Sequence, residues 1–254
     1  MTRRRFFAPP GAFTAKRDSV SLLGDEARYL REVLRLRVGD SVFVFNGQGK
    51  EFQCEIEESR RESARLKVVS EVIPTKPESP LALTLAIALL KGEKFDLAVQ
   101  KATELGVTRI VPVTTKLADV RLRDEGDADK RGARWQRIAV EAAKQSGRAV
   151  VPPVDRPVAF SSLLSSSSCA EGDACLLFSE RGGENLSETM NKLPPGRSRL
   201  TAVVGSEGGW TDEEIATARA AGWHIVTLGG RTLRAETAAI TVTSLLQHLF
   251  GDLT

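Results

Sequence analysis

Residues 81–90, LALTLAIALL, limit the possible folds of this chain more than any other stretch of the sequence. Thr84 is the only polar residue among these ten. A run that is apolar at consecutive positions has both of its faces buried, which is typical of a strand in a parallel sheet covered by helices. The next segment, residues 92–106, places Phe95, Ala98, Ala102 and Leu105 on one helical face, and a strand-like segment follows at 107–113. This pattern predicts a strand–helix–strand unit.

The same alternation continues to the end of the chain. Residues 134–147 have a helical pattern, and residues 174–178, 200–204 and 224–228 are short apolar runs typical of buried strands. Alternating strands and helices predict an open parallel sheet with helices on both faces, and hence an α/β fold. Residues 161–173, SSLLSSSSCAEGD, are of low complexity, and we expect a surface insertion there.

The first 75 residues have a different sequence pattern. Residues 41–46, 51–57 and 64–70 read as short strands, with Phe52, Cys54 and Ile56 alternating with polar residues. Three prolines in residues 73–83 mark a junction between domains. We therefore predict a small β-barrel domain over residues 1–75 and an α/β domain over residues 76–254.

A helical pattern is also present in the first domain, over residues 27–40. It places Leu30, Val33 and Leu34 on one side, and Arg28, Arg31 and Arg35 on the other. Residues 1–75 hold 14 Lys and Arg against 11 Asp and Glu, whereas the rest of the chain holds 22 of each. The arginine stripe is either a face that contacts phosphate or a solvated surface.

Composition argues against several classes of protein. Three cysteines without a CxxC motif and only two histidines supply a metal site poorly, so we predict no metal. No apolar run approaches the ~20 residues that span a bilayer, so we expect no membrane association. The basic N-terminus lacks the ~7–15-residue apolar stretch of a secretory signal, so we expect a cytoplasmic protein.

Three loops each follow a predicted strand, contain a pair of glycines and open a helix. They are residues 179–185 (SERGGEN), 205–214 (GSEGGWTDEE) and 228–238 (LGGRTLRAETA). Ligands of parallel sheets bind beyond the carboxyl ends of the strands, so these loops predict a ligand site. They contain neither GxGxxG nor GK[ST], the fingerprints of dinucleotide and triphosphate sites. The alternative for the second loop is a tight turn, in which Thr211 and Glu214 form a capping box.

Arg234 stands out in the third loop. It lies beside a predicted helix N-terminus, where the helix dipole disfavours a cation. A residue that breaks a local rule is a candidate for function. The alternative is an ordinary ion pair with Glu236 or Glu207.

Several segments together resemble a known family. They are RRFFAPPG, YLREVLRLRVGD, KGEKFDLAVQKATELGVTRIVPV, RWQRIAVEAAKQSGRAVVP, GSEGGWTDEE and LGGRTLRAETA, which occur in this order over nearly the whole chain. They resemble the RsmE-type 16S ribosomal RNA (uracil-N3) methyltransferases of the SPOUT superfamily. The resemblance implies an N-terminal PUA-like β-barrel that helps to bind RNA and a C-terminal SPOUT-type α/β domain with a trefoil knot. It also implies a homodimer that uses S-adenosylmethionine to make 3-methyluridine in the 16S rRNA of the assembled small ribosomal subunit.

The resemblance further implies site residues in the three loops. Those expected to hold S-adenosylmethionine are Leu177, Phe178, Gly205, Glu207, Gly208, Gly209, Leu228, Gly229, Leu233, Arg234, Thr237 and Ala238, with Glu180 as a further candidate. We expect Arg234 to orient the uracil and to stabilise the anion that forms when N3 loses its proton. The proton acceptor is Glu236, Glu207 or water.

Residues expected to bind RNA lie elsewhere in the chain: Arg3, Arg4, Arg5, Arg31, Arg35, Gln145 and Arg148. For Gln145 and Arg148 the alternative is an ordinary helix end at Gly147. Phe6 and Phe7 stack on bases or, alternatively, form part of the core.

The chain departs from the family pattern at three places. Ser206 replaces a proline, Arg28 replaces a histidine, and residues 114–120 lack a Glu-Arg pair. A noncatalytic RNA-binding assembly factor is therefore an alternative function. An oxidoreductase with a nucleotide cofactor is a third, which the missing GxGxxG disfavours.

Overall fold

The computed structural model of the protein describes residues 3–167, 173–193 and 198–253. The chain forms two compact units, Met1–Glu78 with Val140–Val151, and Ser79–Ala139 with Pro152–Thr254. The division predicted after residue 75 lies close to the one after Glu78. Residues 140–151, which belong to the predicted α/β domain, are grouped with the N-terminal residues in the first unit.

The first unit contains a five-stranded mixed sheet. Its strands are β1 (Arg5–Phe7), β2 (Ser19–Leu23), β3 (Ser41–Phe45), β4 (Glu51–Ser59) and β5 (Ser63–Val72). They lie in the order β1-β3-β4-β5-β2, with β1 and β3 parallel and the other pairs antiparallel. Phe52, Cys54 and Ile56 of β4 are buried, which confirms the alternation predicted from the sequence. Phe6 of β1 is also fully buried in this core, as its alternative reading predicted.

The helix predicted over residues 27–40 is shorter and less regular than expected. Helix α1 (Gly24–Arg28) is followed by a π-helical turn, Tyr29–Val33, in which the Leu34 amide donates to the Tyr29 carbonyl at 3.0 Å. A π turn takes more residues than an α turn, so the side chains leave the 3.6-residue period. Val33 is therefore 63% exposed rather than buried, and Arg35 ends the helical stretch at φ 53°.

Residues 140–151 are held in the first unit by buried polar contacts. The Arg5 side chain, 6% exposed, forms an ion pair with Glu51 at 3.2 Å. Its other nitrogens donate to the carbonyls of Ala143, Lys144 and Arg148, at 3.3, 2.9 and 2.8 Å. Carbonyls at the end of a helix lack intrahelical partners, so a buried arginine satisfies them there.

The second unit contains seven strands and six helices that the structure describes, counting the helix that continues into residues 140–146. The strands are β6 (Ala82–Ala88), β7 (Arg109–Thr114), β8 (Val158–Ala159), β9 (Asp173–Phe178), β10 (Glu184–Asn185), β11 (Arg199–Val204) and β12 (His224–Thr227). The longer helices are α2 (Lys94–Glu104), α3 (Glu125–Ser146), α6 (Asp212–Ala220) and α7 (Ala235–Phe250). The short helices are α4 (Phe160–Ser166) and α5 (Leu186–Lys192).

The seven strands form one parallel sheet in the order β10-β12-β9-β11-β6-β7-β8. This confirms the predicted α/β class, whereas the trefoil knot stays a prediction. The surface insertion predicted at residues 161–173 is wrong for its first part, because α4 buries Leu163 and Leu164; residues 168–172 lie outside the described residues. Within the described ranges, no helix is both long enough and apolar enough to cross a bilayer.

Candidate functional site

The carboxyl ends of three neighbouring strands lie at one level of the sheet. Phe178, the last residue of β9, is opposite both Val204, the last residue of β11, and Val226 of β12. Because the strands are parallel, the loops that follow them leave the same edge. The three glycine-bearing loops predicted to act together are therefore neighbours.

These loops enclose a cavity of about 510 Å³. Its size falls within the roughly 300–1,000 Å³ of small-molecule sites. The residues that line it come from all three loops and are Phe178, Glu180, Val204, Gly205, Ser206, Glu207, Gly208, Gly209, Thr227, Leu228, Gly229, Gly230, Arg231, Thr232, Leu233, Arg234, Ala235 and Ala238. Sequence reasoning did not select Val204, Ser206, Thr227, Gly230, Arg231, Thr232 or Ala235.

Glycines of the second loop permit close contacts around the cavity. Gly209 has φ +68°, and a Cβ there would lie 2.7 Å from Oε1 of Glu180. A Cβ on Gly208 would lie 2.7 Å from the carbonyl oxygen of Leu117. A larger residue at either position would force its neighbours apart, so the loop conformation depends on glycine.

A buried tryptophan ties the second loop to the first. Trp210 is 1% exposed, and its indole N–H donates to the Phe178 carbonyl at 2.9 Å. A Cβ on Gly205 would lie 3.0 Å from the same indole nitrogen. The end of β9 and the start of the second loop are thus fixed to each other.

The predicted capping box is present at the start of α6. Thr211 Oγ1 accepts from the Glu214 amide at 3.2 Å, and Glu214 Oε2 accepts from the Thr211 amide at 2.9 Å. Glu214, 5% exposed, also accepts the backbone amide of Lys116 through Oε1 at 2.8 Å. Glu214 therefore also fixes the segment after β7 against the second loop.

The two acidic residues of the cavity both have cationic partners. Glu207 Oε1 lies 2.6 Å from Nζ of Lys94, and Glu180 lies 3.6 Å from the guanidinium of Arg181. Partial burial opposes ionisation of Glu207, but the Lys94 ammonium outweighs it and lowers the pKa of the carboxyl. Glu207 is consequently held in its ionised form.

Arg234 is the N-cap residue of α7, and its carbonyl accepts the Ala238 amide at 2.8 Å. Its side chain is exposed, and within the described residues it pairs with neither Glu236 nor Glu207. The ion-pair alternative for Arg234 is therefore wrong. Arg231, three residues earlier, also lines the cavity, is exposed, and has no side-chain partner in the same ranges.

Three residues proposed from the sequence do not line the cavity. Leu177 is buried in the sheet, one residue before the end of β9. Thr237 is exposed in the first turn of α7. Glu236 is partly buried in the same turn, and its Oε2 is a buried atom without a hydrogen-bond partner in the described part of the chain.

The structure corrects part of the predicted RNA-binding set. Arg5 is held by Glu51 and by helix-end carbonyls, and Arg148, 5% exposed, forms an ion pair with Glu78 at 2.7 Å. Buried, paired guanidinium groups are unavailable to phosphate. Arg3 is partly committed as well, because it donates to the Ile73 carbonyl at 3.0 Å and lies 3.3 Å from Glu51.

The remaining members of that set are accessible. Arg31 forms an ion pair with Glu32 at 2.6 Å, and its side chain is 33% exposed. Arg4, Arg35 and Gln145 are exposed. Sequence patterning alone did not separate these residues from the buried arginines, because both groups lie in basic motifs.

Comparison with known proteins identifies a protein family for each of the two parts of the chain. An RNA methyltransferase domain family matches residues 77–247, and an RNA methyltransferase PUA domain family matches residues 22–69. The ribosomal RNA small subunit methyltransferase E of Synechocystis is 35% identical over 87% of this chain and 70% of its own length.

Two solved structures are similar over the whole of both chains. One is a ribosomal RNA small subunit methyltransferase E from Neisseria gonorrhoeae bound to S-adenosyl methionine, with 33% identity and a TM-score of 0.86. The other is a Legionella pneumophila protein in complex with the cofactor SAM, with 30% identity and a TM-score of 0.88. The chain therefore belongs to the family of RNA methyltransferases whose curated members are named ribosomal RNA small subunit methyltransferase E.

Proposed function

We propose that this protein transfers a methyl group from S-adenosylmethionine to N3 of a uridine in the 16S rRNA of the small ribosomal subunit. The observation that carries the proposal is the cavity formed by the three loops beyond β9, β11 and β12. The family to which the chain belongs, and the S-adenosylmethionine bound in two similar structures, support the same conclusion.

The residues of the cavity fit S-adenosylmethionine. Glycines at positions 205, 208 and 209 leave main-chain groups uncovered by side chains, and a Cβ on Gly229 would meet no atom within 4 Å. Main-chain amides and carbonyls can bind the polar groups of such a nucleoside, and Phe178, Leu228 and Leu233 supply apolar walls. When bound, this cofactor supplies a methyl group already activated by its sulfonium charge.

The protein must hold the acceptor base in line with that methyl group. Alignment alone can lower the barrier by several kcal/mol, up to ~7–11 in ideal cases. N3 lies on the Watson–Crick edge of uracil, so the target nucleotide has to be unpaired or turned out of its helix.

Arg234 is placed to act on the base. Its exposed, unpaired guanidinium lies at the cavity beside the N-terminus of α7. Loss of the N3 proton spreads negative charge onto the ring oxygens, which a guanidinium beside the base stabilises. Arginine remains protonated, so it orients the base and stabilises the anion but does not accept the proton.

The surroundings of the two glutamates narrow the choice among the candidate proton acceptors. Glu207 already binds Lys94, and its lowered pKa makes it a weaker base. Glu236 has a carboxylate oxygen without a partner but does not line the cavity. A proton acceptor must lie within reach of the reacting base, so water is favoured over both glutamates.

The test uses small ribosomal subunits from a strain that lacks this methyltransferase. The subunits are incubated with the protein and S-adenosylmethionine, and nuclease fragments of the rRNA are analysed by mass spectrometry. The proposal predicts a mass increase of one methyl group on one fragment, with 3-methyluridine as the modified nucleoside. Unmodified rRNA, despite S-adenosylmethionine binding, would support the noncatalytic assembly factor instead.

A homodimer and a cytoplasmic location belong to the same proposal, because the family resemblance of the sequence implies the first and no sequence feature points to another compartment. Light scattering of the purified protein tests the first, since a monomer at micromolar concentration would contradict it.

A further inference from the structure

We propose that Arg231 binds a backbone phosphate of the RNA at the mouth of the cavity and so positions the target nucleotide. This inference rests on the proposed function, because it requires RNA to approach the cavity. It assigns a role to a residue that the sequence motif alone did not single out.

The position of Arg231 follows from the third loop. The loop leaves β12 at Leu228, turns through Gly230 at φ +94°, and reaches the N-cap of α7 at Arg234. Arg231 and Arg234 both line the cavity and both are exposed. Two guanidinium groups are thus present on one loop at the open side of the site.

Arg231 and Arg234 differ from the other cations around the cavity in their ion pairing. Lys94 pairs with Glu207, Arg181 is shared between Glu180 and Asp212, and Lys116 pairs with Glu213. Arg231 and Arg234 have no acidic partner in the described ranges. The third loop therefore presents two guanidinium groups that an anion from outside the protein can bind.

Two anions could reach Arg231, namely an RNA phosphate or the carboxylate of S-adenosylmethionine. The planar guanidinium fork matches either group. The exposure of Arg231 favours the phosphate, because RNA has to approach from solvent. The donor, in contrast, is expected among the main-chain groups at the buried strand ends.

The experiment compares Arg231→Ala with Arg199→Ala. Arg199 is the matched control because it is exposed and begins β11, at the edge of the sheet opposite to the cavity. The probes are S-adenosylmethionine, measured by titration calorimetry, and unmodified small ribosomal subunits, measured by binding and methylation over a range of salt concentrations.

For Arg231→Ala we expect about tenfold weaker binding to the subunits and a salt-dependence slope reduced by about 0.7, the value for one phosphate contact on a single strand. The affinity for S-adenosylmethionine should stay within about twofold of the wild-type value, and Arg199→Ala should match the wild type in both measurements. The KM for the subunits should rise more than kcat falls.

Three results would overturn the inference. An unchanged slope and unchanged subunit affinity would show that Arg231 binds no phosphate. A tenfold loss of S-adenosylmethionine affinity with an unchanged slope would assign Arg231 to the donor carboxylate. Failure of the wild-type protein to methylate the subunits would overturn the proposed function itself, which the first two results leave intact.

Discussion

The carboxylate of Glu214 accepts the backbone amide of Lys116 at 2.8 Å. The same carboxylate closes the capping box with Thr211 at the start of α6. One buried side chain thus joins the segment after β7 to the loop after β11, which lines the cavity. The position of the second loop depends on this contact.

Glu214→Ala should lower the free energy of unfolding by about 2 kcal/mol, because it removes one of the two hydrogen bonds of the capping box and leaves the part-buried Lys116 amide without this acceptor. Urea denaturation measures the change. Glu213→Ala is the matched control, since Glu213 is 76% exposed and pairs with Lys116 only at the surface, so little change is expected. Equal losses in both variants would contradict the role given to Glu214.

Gly208→Ala should weaken S-adenosylmethionine binding at least tenfold, which is about 1.4 kcal/mol. The added methyl would lie 2.7 Å from the Leu117 carbonyl oxygen, so the second loop must move. Titration calorimetry measures the affinity. Gly132→Ala, on α3 with no atom within 4 Å of the added methyl, is the control and should bind normally. Normal binding by Gly208→Ala would show that the loop tolerates the shift.

Arg234→Ala should keep S-adenosylmethionine binding within about tenfold while losing most turnover, because its guanidinium acts on the base rather than on the donor. Single-turnover methylation of small ribosomal subunits measures the chemical step. Arg234→Lys should recover little activity, since an ammonium lacks the planar fork. Turnover equal to that of the wild type in Arg234→Ala would remove Arg234 from the mechanism.

Arg5→Ala should destabilise the protein by about 3 kcal/mol, because it removes an ion-pair partner of the fully buried Glu51 carboxylate and the donor to three helix-end carbonyls. Urea denaturation again measures the effect. Arg4→Ala, at an exposed neighbouring position, should leave stability close to the wild-type value but weaken RNA binding. Wild-type stability in Arg5→Ala, together with weaker RNA binding, would restore Arg5 to the RNA-binding set.

Cys54 should resist thiol reagents in the native protein at pH 8.5. Burial raises the pKa of its thiol to about 12, so the reactive thiolate is scarce. The thiol of the unfolded chain ionises near pH 9, whereas the buried thiol of the folded protein stays protonated until about pH 12. The stability that the protein has below pH 9 is therefore partly lost as the pH rises toward 12. Mass spectrometry after labelling, with a urea-unfolded sample as control, measures the reaction. Rapid labelling of Cys54 without urea would contradict the burial.

Local sequence patterns predicted the sheet well, because a short segment that is apolar at consecutive positions is compatible with few structures other than a buried strand. Residues 81–90 correspond to β6 (Ala82–Ala88), and residues 200–204 lie within β11. The grouping of the three loops also followed from sequence, since parallel strands bring their carboxyl ends to one edge. The capping box at Thr211 could be predicted from the spacing of Thr211 and Glu214 alone.

The sequence was less informative where a residue's role depends on distant partners. Arg5 and Arg4 are neighbours in one basic motif, yet only Arg5 meets a buried carboxylate 46 positions away. The membership of residues 140–151 in the first unit depends on the same long-range contacts. The π turn at Tyr29–Val33 disrupts a period that the sequence presents as regular.

The most direct test of the central claim is a crystal structure of the protein soaked with S-adenosylmethionine. The account predicts the molecule in the cavity formed by the loops after β9, β11 and β12, with main-chain groups of residues 205–209 and 228–235 within hydrogen-bond distance. Electron density for the molecule at any other place, or none at saturating concentration, would contradict the proposed methyltransferase site.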